Sequence, residues 1–102
     1  GDIIKEYTFK RGFKPDKERI FKALGECFPC NIEQHNNKYI LSYGALKKME
    51  VILESKKLSV STETDLSVSD EVIRDTNKRF RSFLQLATGY TSKERYKKLQ
   101  KM

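Results

Sequence analysis

Two cysteines three positions apart, Cys27-Phe28-Pro29-Cys30, are the first residues in this chain with a spacing that chemistry uses. In redox sites the reactive thiol sits at a helix N-terminus, where the helix dipole stabilises thiolate. Here the pair falls at the predicted end of a helix, where the dipole opposes it. A structural zinc needs four ligands, and His35 is the sole histidine that could join the two thiols. The pattern reads as a core Cys27 and a boundary Cys30, with an intramolecular disulfide as the alternative, chiefly in a hyperthermophile source. His35 stands beside Asn36-Asn37 at a predicted hairpin tip and reads as a turn residue, with no partner to orient it for catalysis. Glu50, Glu54 and Glu63 could share a strand face, as solvated faces routinely do. No glycine-rich run offers a phosphate-cradling or dinucleotide-binding loop. The expectation is a protein that is not an enzyme and uses no metal or cofactor.

The remaining chemistry is electrostatic. The chain carries 21 Lys and Arg against 14 Asp and Glu, a net charge of +7. Residues 1–73 hold twelve of each sign, which cancel. Residues 74–102 hold nine basic side chains and only Asp75 and Glu94, so this segment supplies the whole excess. Arg74, Lys78 and Arg81 fall on one side of a predicted long helix. Beyond it, Tyr90, Lys93, Arg95, Tyr96, Lys97, Lys98 and Lys101 interleave cations with rings. Such a surface can contact phosphates and stack on exposed bases, so RNA or DNA is the expected partner. The plainer reading is a solvated helix face, a frayed basic end and tyrosines that pack on the domain. Lys-rich chains of heat-loving organisms are often charged for stability instead of binding.

Positioning these residues falls to elements legible in the hydrophobic pattern. Residues 3–11 alternate, with Ile3, Tyr7 and Phe9 on one face, which predicts a half-buried strand. After a turn at Gly12–Lys14, Pro15 suits a first helical position, and Asp16 and Glu18 complement the helix start. Ile20, Phe21, Leu24, Cys27 and Phe28 recur at helical spacing until Pro29 ends the run. Four strands follow, around Cys30–Gln34, Tyr39–Tyr43, Met49–Leu53 and Leu58–Thr62. Their connections are short: Asn36-Asn37, Gly44-Ala45 and Ser55-Lys56-Lys57. Short links between consecutive strands imply an antiparallel meander.

A second helix begins near Ser69 or Asp70. It places Val72, Ile73, Thr76, Phe80, Phe83, Leu84 and Ala87 on one side, and Gly89 stops it. Thr91-Ser92-Lys93-Glu94 reads as a capping box opening a short basic helix, with Tyr96 and Leu99 on its sparse apolar side.

One sheet with two helices must bury one sheet face against both. The expected fold is α+β: a two-layer sandwich of a five-stranded antiparallel sheet and two helices, followed by a short basic C-terminal helix or tail. The expected organisation is one domain over residues 1–89 and a basic helical extension over 90–102. Tyr7, Phe9, Tyr39, Leu41, Met49, Val51 and Leu53 are the predicted inner face. The outer face would show Glu6, Glu33, Glu50, Glu54 and Glu63 against Lys10 and Lys48, with Ile4, Ile40 and Ile52 as a modest apolar patch.

The strand–helix–four-strand–helix order over residues 3–89 resembles the TATA-box-binding-protein-like fold. Through Thr88-Gly89-Tyr90-Thr91-Ser92-Lys93-Glu94-Arg95 and the basic tail after it, the chain resembles a family of small uncharacterised archaeal proteins. That family has no assigned activity, so the resemblance implies a fold and no functional residue. The TATA-binding protein opens the DNA minor groove with its outer sheet face, using basic and amide side chains and Phe wedges. This chain departs from it. Its outer face is richer in carboxylates than cations, lacks Phe, and comes as one repeat unit instead of two, so saddle-type binding is not expected.

Two readings follow. The first is a non-enzymatic binding module for nucleic acid or ribonucleoprotein, acting through the basic C-terminal surface. The alternative is a protein-interaction or small-ligand module with a pocket between the long helix and the sheet, to which Tyr7, Tyr39 and Tyr43 would lend polar tips. No apolar run approaches the ~18 residues of a membrane span, and no signal-peptide pattern opens the chain. A soluble cytoplasmic protein that does not engage membranes is therefore expected. The open edge of the meander invites dimerisation while its lysines oppose it, which leaves the oligomeric state open.

Overall fold

The computed structural model describes residues 3–100, with side chains through Lys97. Five strands, β1 (Ile3–Thr8), β2 (Glu33–His35), β3 (Lys38–Tyr43), β4 (Leu46–Glu54) and β5 (Lys57–Thr64), form one sheet in the order β1-β5-β4-β3-β2. Every neighbouring pair is antiparallel. The helices are α1 (Lys17–Cys27), α2 (Asp70–Thr88) and α3 (Ser92–Gln100). The expected α+β layout of sheet and helices is what the chain adopts.

The turns explain the meander. Asn36 and Ser55 sit at φ 57° and 54°, and Gly44 at φ 54°, the left-handed region that tight reversals need. Gly44 is fixed for a second reason: a Cβ there would run into the Thr76 Oγ1 of α2. That hydroxyl accepts the Ala45 N–H at 3.0 Å and donates to the Val72 carbonyl at 2.7 Å, which pins α2 onto the β3–β4 hairpin. Thr76 is buried with its hydrogen bonds made, so it costs the core little.

The core lies between the helices and one face of the sheet. Tyr39, Leu41, Met49, Val51, Leu58 and Val60 meet Ile20, Ala23, Leu24 and Cys27 of α1, Phe28 just after it, and Phe83, Leu84 and Ala87 of α2. Truncating a side chain such as Phe83 would remove about 3–5 kcal/mol, by lost transfer energy and the cavity left behind. On the opposite face no described residue is buried.

Three local expectations need correction. Pro15 lies one residue before the N-cap Asp16, whose extended backbone (φ −116°) precedes the first helical bond, Ile20 N–H to Asp16 carbonyl at 3.0 Å. Phe21, periodic with the core, is 41% exposed: the buried stripe runs through Ile20, Ala23, Leu24 and Cys27, and Phe21 reaches sideways onto Tyr39, ring centroids 5.3 Å apart. Ile3 is 55% exposed at the start of β1, an edge strand of the sheet. Pro29 acts as expected. Phe28, the residue before it, is extended (φ −120°), and α1 stops there.

The two long helices run antiparallel and exchange arginines. Arg19 of α1 donates to the carbonyls of Leu86 and Ala87 near the end of α2, at 3.0 and 2.7 Å. Arg79 of α2 donates to the carbonyl of Cys27, the last residue of α1, at 3.0 Å. Neither helix has a basic residue in its own last turn. Each therefore receives from the other the cation that its unsatisfied carbonyls and negative dipole end favour. Phe9 and Phe13 flank the Arg19 guanidinium, 5.9 and 5.6 Å from their ring centroids.

Candidate nucleic-acid interface

The basic residues of the C-terminal segment divide into those that build the surface and those left free on it. α2 is set by its ends. Ser69 caps it, accepting the Val72 N–H, and Gly89 closes it at φ 86° with its N–H on the Gln85 carbonyl. A Cβ at Gly89 would lie 2.5–2.9 Å from ring atoms of Phe13, so the bend that redirects the chain into α3 admits only glycine. Between these ends, Arg74, Lys78 and Arg81 form an exposed row.

α3 begins with the capping box expected from the sequence. The Thr91 N–H donates to Glu94 Oε1 and the Glu94 N–H donates to Thr91 Oγ1, both at 3.1 Å. Glu94 also pairs with Lys10 Nζ at 3.1 Å, tying α3 to the segment after β1. The backbone bond from Thr91, then Lys10, holds the Glu94 carboxyl below its ordinary pKa. Arg95 donates to the Tyr90 carbonyl at 2.6 Å and to Ser92 Oγ at 3.1 Å. Burial pulls its pKa down, with Tyr7 opposing and the nearby Arg81 adding to the fall. Arg81 and Arg95 thus repel each other weakly across the α2–α3 bend.

The docking side of α3 is consequently polar, made by half-buried Thr91, Glu94 and Arg95. Tyr96, expected on an apolar side, is 63% exposed. Lys93 and Lys97 are exposed with it. At roughly 100° per residue, Lys93, Tyr96 and Lys97 share one sector of the helix, opposite the docking residues. Tyr90 has a different fate: it is half-buried, with the Lys10 ammonium 5.9 Å from its ring centroid. The Lys98 side chain and Lys101 lie outside the described residues.

Within residues 74–97, hydrogen bonding separates the free cations from Arg79 and Arg95. Among the described residues, Arg74, Lys78, Arg81, Lys93 and Lys97 make no ion pair. Arg79 is occupied, bonded to Asp75 at 3.1 Å in addition to Cys27, and Tyr43 donates to the same carboxylate at 2.8 Å. The Tyr43 bond, then Arg79, keeps Asp75 below its ordinary pKa. Sequence reasoning missed Lys10, Arg19 and Arg79 as fasteners. Their partners lie 84, 67–68 and 52 positions away, beyond any local spacing.

The other candidates are structural in their surroundings. Cys27 and Cys30 are free thiols, the first buried and the second half-buried. Burial raises both pKa values, with Glu26 adding to the rise at Cys27. His35 ends β2, exposed, 3.5 Å from Glu33. No group of three metal-ligating side chains occurs among the described residues. One hollow of about 680 Å³ lies where the start of α1 meets β2, β3 and β4, lined by Asp16, Glu18, Phe21, Gln34, Tyr39 and Leu53 among others. Another of about 280 Å³ lies between α1 and α2. Neither is walled by α2 and the sheet together, where the small-ligand alternative would place its pocket. No described helix is long and apolar enough to cross a membrane.

Comparison with known proteins agrees with the layout. The model of a domain of unknown function, DUF5611, matches residues 4–101. The chain is similar to the NMR solution structure of the hypothetical protein TA0095 from Thermoplasma acidophilum, with a TM-score of 0.67 and 27% identity. The match covers 95% of this chain and 98% of that one. No curated protein matched.

Proposed function

The chain belongs to the DUF5611 family, and because that membership carries no activity, we propose a function from its surface: a non-enzymatic module that binds nucleic acid through phosphate contacts from α2 and α3. One observation carries the reading. The exposed row Arg74, Lys78 and Arg81 and the exposed Lys93 and Lys97 are unpaired cations on anchored helices. Free cations release condensed counterions when they meet phosphates, and that release drives sequence-independent binding. Holding them on helices lowers the ordering cost of binding, since the backbone is already set.

The test is the salt dependence of binding. Five phosphate contacts imply a loss of roughly 100- to 500-fold in affinity between about 50 and 200 mM salt. Replacing all five cations with Gln is expected to abolish measurable binding at the lower salt while leaving the thermal midpoint unchanged. Binding by the Gln variant equal to that of the parent would refute the proposal.

A further inference from the structure

We infer that the nucleic acid bound at this surface is single-stranded, one of its bases stacking on Tyr96; the inference rests on the phosphate-binding reading above and names its substrate class. Tyr96 makes no hydrogen bond and no ring contact among the described residues, and it is 63% exposed. Packing on the domain, the ordinary employment of a tyrosine, does not account for it. Its position does. Lys93 stands one turn before Tyr96 and Lys97 next to it, all in the exposed sector opposite the side that docks. The ring is therefore offered beside the free Lys93, at the edge of the cationic sector, on a helix held by the Thr91–Glu94 box, the Lys10–Glu94 pair and the Arg95 bond to the Tyr90 carbonyl.

A duplex can use those cations and not the ring, because its bases are stacked on one another and paired. A single strand can use both. Its unpaired bases have free π-faces, and stacking on an aromatic side chain is tolerant of sequence. Tyr90 is the poorer platform, being half-buried beneath Lys10. RNA and DNA single strands share the chemistry required, an unpaired base on a phosphate chain.

The experiment is fluorescence anisotropy at about 100 mM salt with mixed-sequence dodecamers: single-stranded RNA, single-stranded DNA and the DNA duplex. The proteins are the parent chain, Tyr96→Ala, Tyr96→Phe and the double variant Lys93→Gln/Lys97→Gln. The ring is 63% exposed and makes no hydrogen bond or ring contact among the described residues, so Tyr96→Ala should keep the parent's thermal midpoint. The expected result is a loss of roughly 5- to 100-fold on the single strands with Tyr96→Ala, near-parent binding with Tyr96→Phe, and a change under about twofold on the duplex. Whichever single strand binds more tightly identifies the source. If Tyr96→Ala weakens duplex and single strands alike, or neither, the stacking inference is overturned, while losses by the Lys double variant would keep the phosphate reading standing. No binding of any probe by the parent chain overturns both.

Discussion

The open face of the sheet and the exposed face of α2 and α3 both carry cations, but the sheet pairs most of its cations while the helices leave most of theirs free. On the sheet, Glu50 holds Lys48 at 2.8 Å and Lys38 at 3.3 Å, and Glu63 holds Lys47 at 3.7 Å. Lys57, at the rim of this face, stands opposite Glu54 in the strand register. On the helices, the unpaired positions Lys78, Arg81, Lys93 and Lys97 follow one another with Glu94 as the sole acidic residue among them, and Glu94 is committed to Lys10 and to Thr91. On the proposed reading, the distribution of pairing, and not the net charge, is what would direct a polyanion. Exposed ion pairs add little to stability, but each one cancels a source of attraction for phosphate.

Swapping charges between the regions should break the comparison most visibly. Arg81→Glu/Lys93→Glu/Lys97→Glu is expected to weaken nucleic-acid binding by roughly 100-fold or more at low salt. Lys38→Glu/Lys47→Glu/Lys57→Glu should change it by less than about threefold, since those lysines are neutralised or face carboxylates. Equal losses from the two variants, measured by anisotropy, would erase the distinction.

The next effect is on the scaffold. Gly89→Ala forces a side chain into a left-handed conformation and against the Phe13 ring. A cost of about 1–3 kcal/mol is expected, read as a fall in thermal midpoint of roughly 5–15 °C. Because Gly89 sets the bend between α2 and α3, binding should weaken as well. A variant as stable as the parent would mean that the bend is not fixed by this residue.

The smallest effect sharpens the comparison from the sheet side. Glu50→Gln releases Lys38 and Lys48 and should raise affinity for nucleic acid by about two- to threefold at low salt. Its bond from Lys48 keeps the Glu50 carboxyl below its ordinary value of 4.5, so it protonates at lower pH in the native state than in the unfolded chain. Its contribution to stability is complete above about pH 4.5 and is lost as pH falls through the lower native value. Asp75 and Glu94 are lowered likewise, so carboxyl titration followed by NMR should place all three below their ordinary values, and unshifted titrations would refute these pairings.

Much of this molecule was legible in the sequence because its core is periodic. The alternation through Tyr39, Leu41, Met49 and Val51 and the helical spacing of Phe83, Leu84 and Ala87 report burial directly, since each repeats with its element's own geometry. The capping box at Thr91–Glu94 was equally plain, being a contact between residues three apart. Phe21 and Ile3 differ from expectation because periodicity tells which side of an element a residue is on and not how fully that position is covered: Phe21 borders the buried stripe of α1, and Ile3 lies on an edge strand. The candidate site was legible as a region and not residue by residue. Arg95 and Tyr90 belong to the fastening of α3 while Lys93, Tyr96 and Lys97 stay free, and that division depends on Lys10, 84 positions from its partner Glu94.

The most direct test of the central claim is an amide chemical-shift titration of labelled protein with a single-stranded dodecamer at roughly 50 and 200 mM salt. Binding at the free cations predicts shifts on the exposed row Arg74–Lys78–Arg81 and on residues 93–97 that shrink as salt rises. Shifts centred instead on Ile40, Glu50, Ile52 and Ser61 of the open sheet face, or no shifts at the lower salt, would contradict the account.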